Sequence, residues 1–130
     1  MKSSESLKEF NPAFIKAQID METVAKSSSN PFFKSKYADI NSVIEAIKEA
    51  LNKNGLAFSQ HPVSGDKSVG VSTRIMHESG EWIEEEFVMP LMKPDPQASG
   101  STITYARRYA LQAMCGLQAV DDDAERGMIR

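Results

Sequence analysis

The sequence predicts an α+β domain: N-terminal helices, a three-stranded antiparallel sheet and a C-terminal helix, in the order helix, helix, β-β-β, helix. Two observations predict it. Apolar residues recur with a helical period before Gly55 and after Pro96, and between Leu56 and Leu91 they alternate with a period of two, broken at glycine and proline. The 130 residues suffice for one core and not for two comfortable domains. The expected organisation is an N-terminal helix within 1–29, a candidate oligomer contact, then a core over 30–120 and an acidic tail over 121–130.

In the first helix Phe10, Phe14, Ala17, Met21 and Val24 recur at 4-3-4-3 spacing, from about Pro12 to Lys26. That seam either packs on the chain's own core or docks on a neighbouring protomer. Ser27-Ser28-Ser29 and Asn30-Pro31 break the chain before the second helix. There Ile40, Val43, Ile44, Ile47 and Leu51 make one apolar side, with Asp39 as N-cap, Gly55 past the end, and Lys48, Glu49 and Lys53 in water.

Strands are expected at Leu56–His61, Ser68–His77 and Glu81–Leu91. A three-residue loop, Glu78-Ser79-Gly80, with Gly80 left-handed, sets Ile75 opposite Ile83, Val71 opposite Phe87 and Val69 opposite Met89. The same register sets Arg74 opposite Glu84 and Met76 opposite Trp82. The glutamate run is therefore a solvated or salt-bridged strand face. The last helix is expected from near Gly100 to about Gly116, with Ile103, Ala106, Ala110, Ala113 and Leu117 on one side.

The net charge is −3, but its distribution matters more than its sum. Two runs, 78–86 and 121–125, hold half of the acid, while Lys34 and Lys36 in 31–36 and Arg107 and Arg108 in 97–120 stand free of acid. On the last helix Tyr105, Arg108 and Tyr109 fall at i, i+3 and i+4, and Arg107 projects about 100° from Arg108. Guanidinium forks suit phosphates and tyrosine rings offer bases a stacking plane. The bland alternative is half-buried tyrosines and solvated arginines. Ser99, Gly100, Ser101 and Thr102 at the expected helix start either admit an anion or merely cap the helix. In "NPFFKSKYADI", Phe32, Phe33 and Tyr37 interleave with Lys34 and Lys36, as a nucleic-acid contact or as a loop anchored in the core.

No constellation for an enzyme emerges. There is no GxxxxGK[ST] loop and no GxSxG elbow, and His61 and His77 lack a third metal ligand. Asp121, Asp122, Asp123 and Glu125 are the strongest candidates for holding Mg²⁺, yet consecutive aspartates point apart, as in a solvated tail. The lone Cys115 reads as a small buried hydrophobe. No apolar run is long enough to span a bilayer and no secretory leader is visible, so a cytoplasmic protein without a membrane partner is expected. No cofactor is expected.

"NPFFKSKYADINSVIEAI", "GVSTRIMHESGEWI" and "QASGSTITYARRYALQAMCGLQAVDDDAE" together resemble the ERF family of phage-associated single-strand annealing proteins, over roughly Asn30 to Glu125. The resemblance implies a β-β-β-α core preceded by a helix, and assembly of a homo-oligomer into rings or filaments with DNA in a basic groove. It implies ATP-independent annealing of complementary single strands during phage recombination in a host cell, alongside a 5′-3′ exonuclease and the host single-strand binding protein. Carried onto this chain, it assigns DNA contact to Lys34, Lys36, Tyr105, Arg107, Arg108 and Tyr109, with no catalytic or metal residue. Longer members carry a further C-terminal region, so partner recruitment is either absent here or placed elsewhere. The alternative function is a module that binds and protects single strands without annealing them. A modest patch repeated by oligomerisation suits annealing, because each protomer then holds a strand weakly enough for registers to be tested.

Overall fold

A computed structural model describes residues 1–26, 40–91 and 95–117. Asp39 as an N-cap, the 27–31 break and the 121–125 acidic run lie outside the described residues.

The central hairpin forms as its pattern dictates. β3 (Ser68–His77) pairs antiparallel with β4 (Trp82–Pro90), with Ile75 opposite Ile83, Val71 opposite Phe87, Val69 opposite Met89, Arg74 opposite Glu84 and Met76 opposite Trp82. The His77 N–H donates to the Glu81 carbonyl at 2.8 Å, and Gly80 takes φ +97° in the turn. Glycine adopts that conformation without steric cost, which fixes the three-residue loop and with it the register.

β2 (Leu56–Gly65) pairs with β3 and runs four residues beyond His61, through Pro62. The Glu78 N–H bonds to the Gly55 carbonyl, so odd-numbered residues of β2 face β3 and Pro62 aims its missing donor at the outer edge. An edge strand tolerates proline there because no ladder bond is lost.

The sheet has four strands, in the order β1-β4-β3-β2, and not three. The additional strand, β1 (Lys2–Ser3), adds to the outer edge of β4, with Lys2 opposite Glu84 and Ser3 opposite Ile83. The Ser4 N–H donates to the Trp82 carbonyl at 3.0 Å, and the terminal amine of Met1 lies 3.2 Å from Glu85. Backbone pairing and charge hold this strand, so two polar residues with no alternation gave no sign of it.

Among the described residues, three helices lie on one face of the sheet. α1 (Phe10–Lys26) buries Phe10, Ala17 and Met21, and Phe10 stacks on Phe14 at 5.4 Å between ring centres. The seam therefore belongs to the chain's own core, while Ile15 and Ile19 stand exposed on the other side. α2 (Ile40–Lys53) buries Ile47, Ala50 and Leu51 against Ile75 and Leu111. Each buried Ile or Leu side chain contributes about 1.5–3 kcal/mol. Gly55 follows with φ +76°, as expected of a helix end. α3 (Pro96–Met114) lays Ala106 and Ala110 on Val71. Cys115 is fully buried, which pushes its thiol up to about 12 and leaves it inert. No helix among the described residues is long and apolar enough to cross a membrane.

Glu81 ties the hairpin to α1. Its Oε1 accepts from the backbone N–H groups of Glu9 at 2.8 Å and Phe10 at 2.7 Å, closing the helix start from 71 residues away in the chain. Partial burial pushes its pKa up, but the N–H groups of Phe10 and Glu9, the Ser6 hydroxyl and His77 more than offset this, so the carboxyl titrates below its ordinary value. A depressed folded-state pKa contributes stability that is present above the unfolded value, about 4.3, and is lost as pH falls through the folded one. The Glu81→Gln protein should accordingly melt at a lower temperature than wild type at pH 7, and the two melting temperatures should converge as pH falls through the lowered folded-state value.

Candidate nucleic-acid interface

α3 begins four residues earlier than Gly100. Asp95 is its N-cap, accepting the Ala98 N–H at 2.7 Å, and Pro96 occupies the first turn, where no donor is missed. Ser99, Gly100, Ser101 and Thr102 consequently lie inside the helix, with the Ser99 N–H bonded to the Asp95 carbonyl and the Thr102 hydroxyl to the Ala98 carbonyl. They are neither cap nor anion cradle.

The four α3 residues assigned to DNA contact divide around the helix. Tyr105 and Tyr109 lie with ring centres 4.4 Å apart, tilted by 34°; Tyr105 is 41% exposed and Tyr109 is half-buried. Tyr109 lines a groove of about 360 Å³ with Glu85, Glu86, Phe87, Ala113 and Met114, along β4. Two residues advance a helix by about 200°, so Arg107 emerges on the side opposite both tyrosines. There it lines a second groove, of about 340 Å³, with Ile44, Glu45, Lys48 and Asn52 of α2 and residues 57–60 of β2. Arg108, half-buried, sits between these directions on the tyrosine side. Lys34 and Lys36, with Phe32, Phe33 and Tyr37, lie outside the described residues.

Gln60 fixes α3 over the sheet. Its Nε2 donates to the Thr73 hydroxyl and to the Arg107 carbonyl, both at 3.0 Å, and Thr73 is fully buried. Arg107 is thus held at its backbone while its side chain is left to the groove. The Gln60→Leu substitution removes both bonds and deprives a buried hydroxyl of its donor; a loss of about 1–3 kcal/mol is expected, read from urea unfolding.

The cations differ in availability. Arg74 donates to Glu84 at 2.8 Å and lies 4.0 Å from the centre of the Trp82 ring. The hydrogen bond from Arg74 is the largest influence holding the Glu84 carboxyl below its ordinary value. Arg107 and Lys48 make no ion pair with any described residue. Along its own helix Lys48 lies on the wet side; its place beside Arg107 comes from the packing of α2 on β2 and against α3. Among the described residues no group of three His, Cys, Asp or Glu is arranged to hold a metal.

The profile of the ERF superfamily matches residues 10–129. No curated protein and no solved structure matches the chain.

Proposed function

The chain belongs to the ERF superfamily, and from that membership we propose that it binds single-stranded DNA and anneals complementary strands without ATP in homologous recombination, as a homo-oligomeric ring or filament. The match over 10–129 carries this reading. Membership of a superfamily associated with single-strand annealing supports a non-catalytic role on DNA.

In the proposed arrangement the strand passes over α3. Arg107 and Arg108 take phosphates, Tyr105 and Tyr109 stack bases, and Lys34 and Lys36 extend the basic track. Tyr105's exposed ring supports this, because aromatic faces accept any base and leave its pairing edge readable. Residues 30–120 form the annealing core, and residues 1–29 the oligomer contact through the exposed Ile15 and Ile19 of α1. The protein works in the cytoplasm of a host cell, beside a 5′-3′ exonuclease and the host single-strand binding protein.

About four phosphate contacts per protomer, at roughly 0.7 counterions each, give a salt dependence of about −3 for one protomer. Fluorescence polarisation with labelled oligo-dT and with duplex of equal length tests the binding, with particle mass measured in the same samples. Preference for the single strand, with a steep salt dependence, supports the reading. Equal affinity for duplex, or no binding at low salt, contradicts it.

A further inference from the structure

The groove beside Arg107 has three features that together fit a single nucleotide. Lys48 and Arg107 enter it from different helices, and neither is neutralised by a described carboxylate. Ile44 and Phe58 give it an apolar part, and Asn52, Ser59 and Gln60 give it amides and a hydroxyl. Gln60 has both of its Nε2 bonds committed to Thr73 and Arg107, which orients the amide and leaves Oε1 buried without a donor. The volume, about 340 Å³, is at the small end of ligand sites, which span roughly 300–1,000 Å³, and is too small for a duplex or a folded partner.

A nucleotide unit carries one phosphate anion, a planar ring and polar edges. From this match we propose that the groove holds one nucleotide of the bound single strand, with its phosphate between Lys48 and Arg107 and its base against Ile44 and Phe58. α2 thereby becomes part of the DNA path, and Lys48 and Asn52 become contact residues. The inference rests on the single-strand binding reading above. Glu45, the one acid among the lining residues, opposes the phosphate and limits how tightly this site holds it. Weak holding at each protomer is what strand exchange between registers requires.

The test compares oligo-dT affinity across a salt series for wild type, Lys48→Gln, Glu45→Gln and Lys53→Gln. All three side chains are exposed, so melting temperatures should stay close to wild type. Lys48→Gln should weaken binding by roughly tenfold and reduce the salt slope by about 0.7. Glu45→Gln should tighten binding, and Lys53→Gln, outside the groove, should match wild type. If Lys48→Gln behaves like Lys53→Gln while Arg107→Ala still weakens binding, the groove inference is overturned and the DNA reading stands. If wild type fails to bind oligo-dT, the DNA reading falls and takes the groove assignment with it. Competition at Lys48 by a polyglutamate peptide, with no effect of Lys48→Gln on oligo-dT, would assign the groove to an acidic protein segment and overturn the proposal.

Discussion

The Arg107→Ala/Arg108→Ala protein is expected to fold and assemble like wild type and to anneal complementary oligonucleotides at least about 100-fold more slowly. Hydrogen bonds to charged groups contribute about 1.5–3 kcal/mol each, and about 1.4 kcal/mol is a factor of ten, so two lost phosphate contacts reach that magnitude before oligomerisation multiplies them. Packing of α3 rests on Ala106, Ala110 and Leu111, and the tie from Gln60 ends on the Arg107 backbone carbonyl, which alanine keeps. Arg108 is half-buried with its guanidinium Nε and Nη2 enclosed, so the Arg108→Lys protein serves as a comparison that retains a long side chain and a charge. Stopped-flow annealing, melting by circular dichroism and particle mass together separate the outcomes. Annealing at the wild-type rate by a folded double variant would remove DNA from α3.

The second large effect falls on the fold. Gly70 lies opposite Val88, and a Cβ placed on it would collide with the backbone of Phe87 and Val88. Backbone cannot rotate aside as a side chain can, so Gly70→Ala should exceed the usual overpacking range and cost about 3 kcal/mol or more. Against a typical total of about 5–15 kcal/mol this is a large fraction. The damage lies between Val69 and Val71, and Val71 is the residue on which Ala106 and Ala110 rest. Urea midpoint and DNA binding should therefore decline together in this variant, whereas in the Arg107→Ala/Arg108→Ala protein binding falls alone. An alanine variant with the wild-type midpoint would mean that the β3–β4 spacing at Gly70 is wider than described.

The same hairpin shows what the sequence made legible. Alternation plus one glycine in the turn determined every partner across β3 and β4, because a slip by one residue would have turned the apolar set into water. α2 was legible for a similar reason: its apolar side recurs over three turns and ends at Gly55. The start of α3 is written in Asp95-Pro96, an N-cap followed by a first-turn proline, four residues before Gly100, near which its apolar period first suggests a start. β1 was not legible, since two residues joined to an edge by backbone bonds leave no periodic trace. Nor was the cap from Glu81 to α1, which joins parts of the chain 71 residues apart.

The candidate surface on α3 was legible in its composition and not in its shape. The helical period correctly placed Tyr105 beside Tyr109 and turned Arg107 away from them. What Arg107 meets on its own side depends on how α2 packs against β2 and α3, and no spacing within one helix encodes that packing. Lys48 is the consequence: an ordinary surface lysine along its own helix, and a groove cation once the helices are packed.

The most direct test of the central claim is the rate at which wild-type protein pairs two complementary dye-labelled single strands, without nucleotide or metal and with particle mass followed in the same samples. Faster pairing than the spontaneous rate, carried by an oligomer and absent with non-complementary strands, is the result the account predicts. Tight single-strand binding with no acceleration would contradict it and leave the chain a protective binder that shares the superfamily's sequence but not the strand pairing proposed for it.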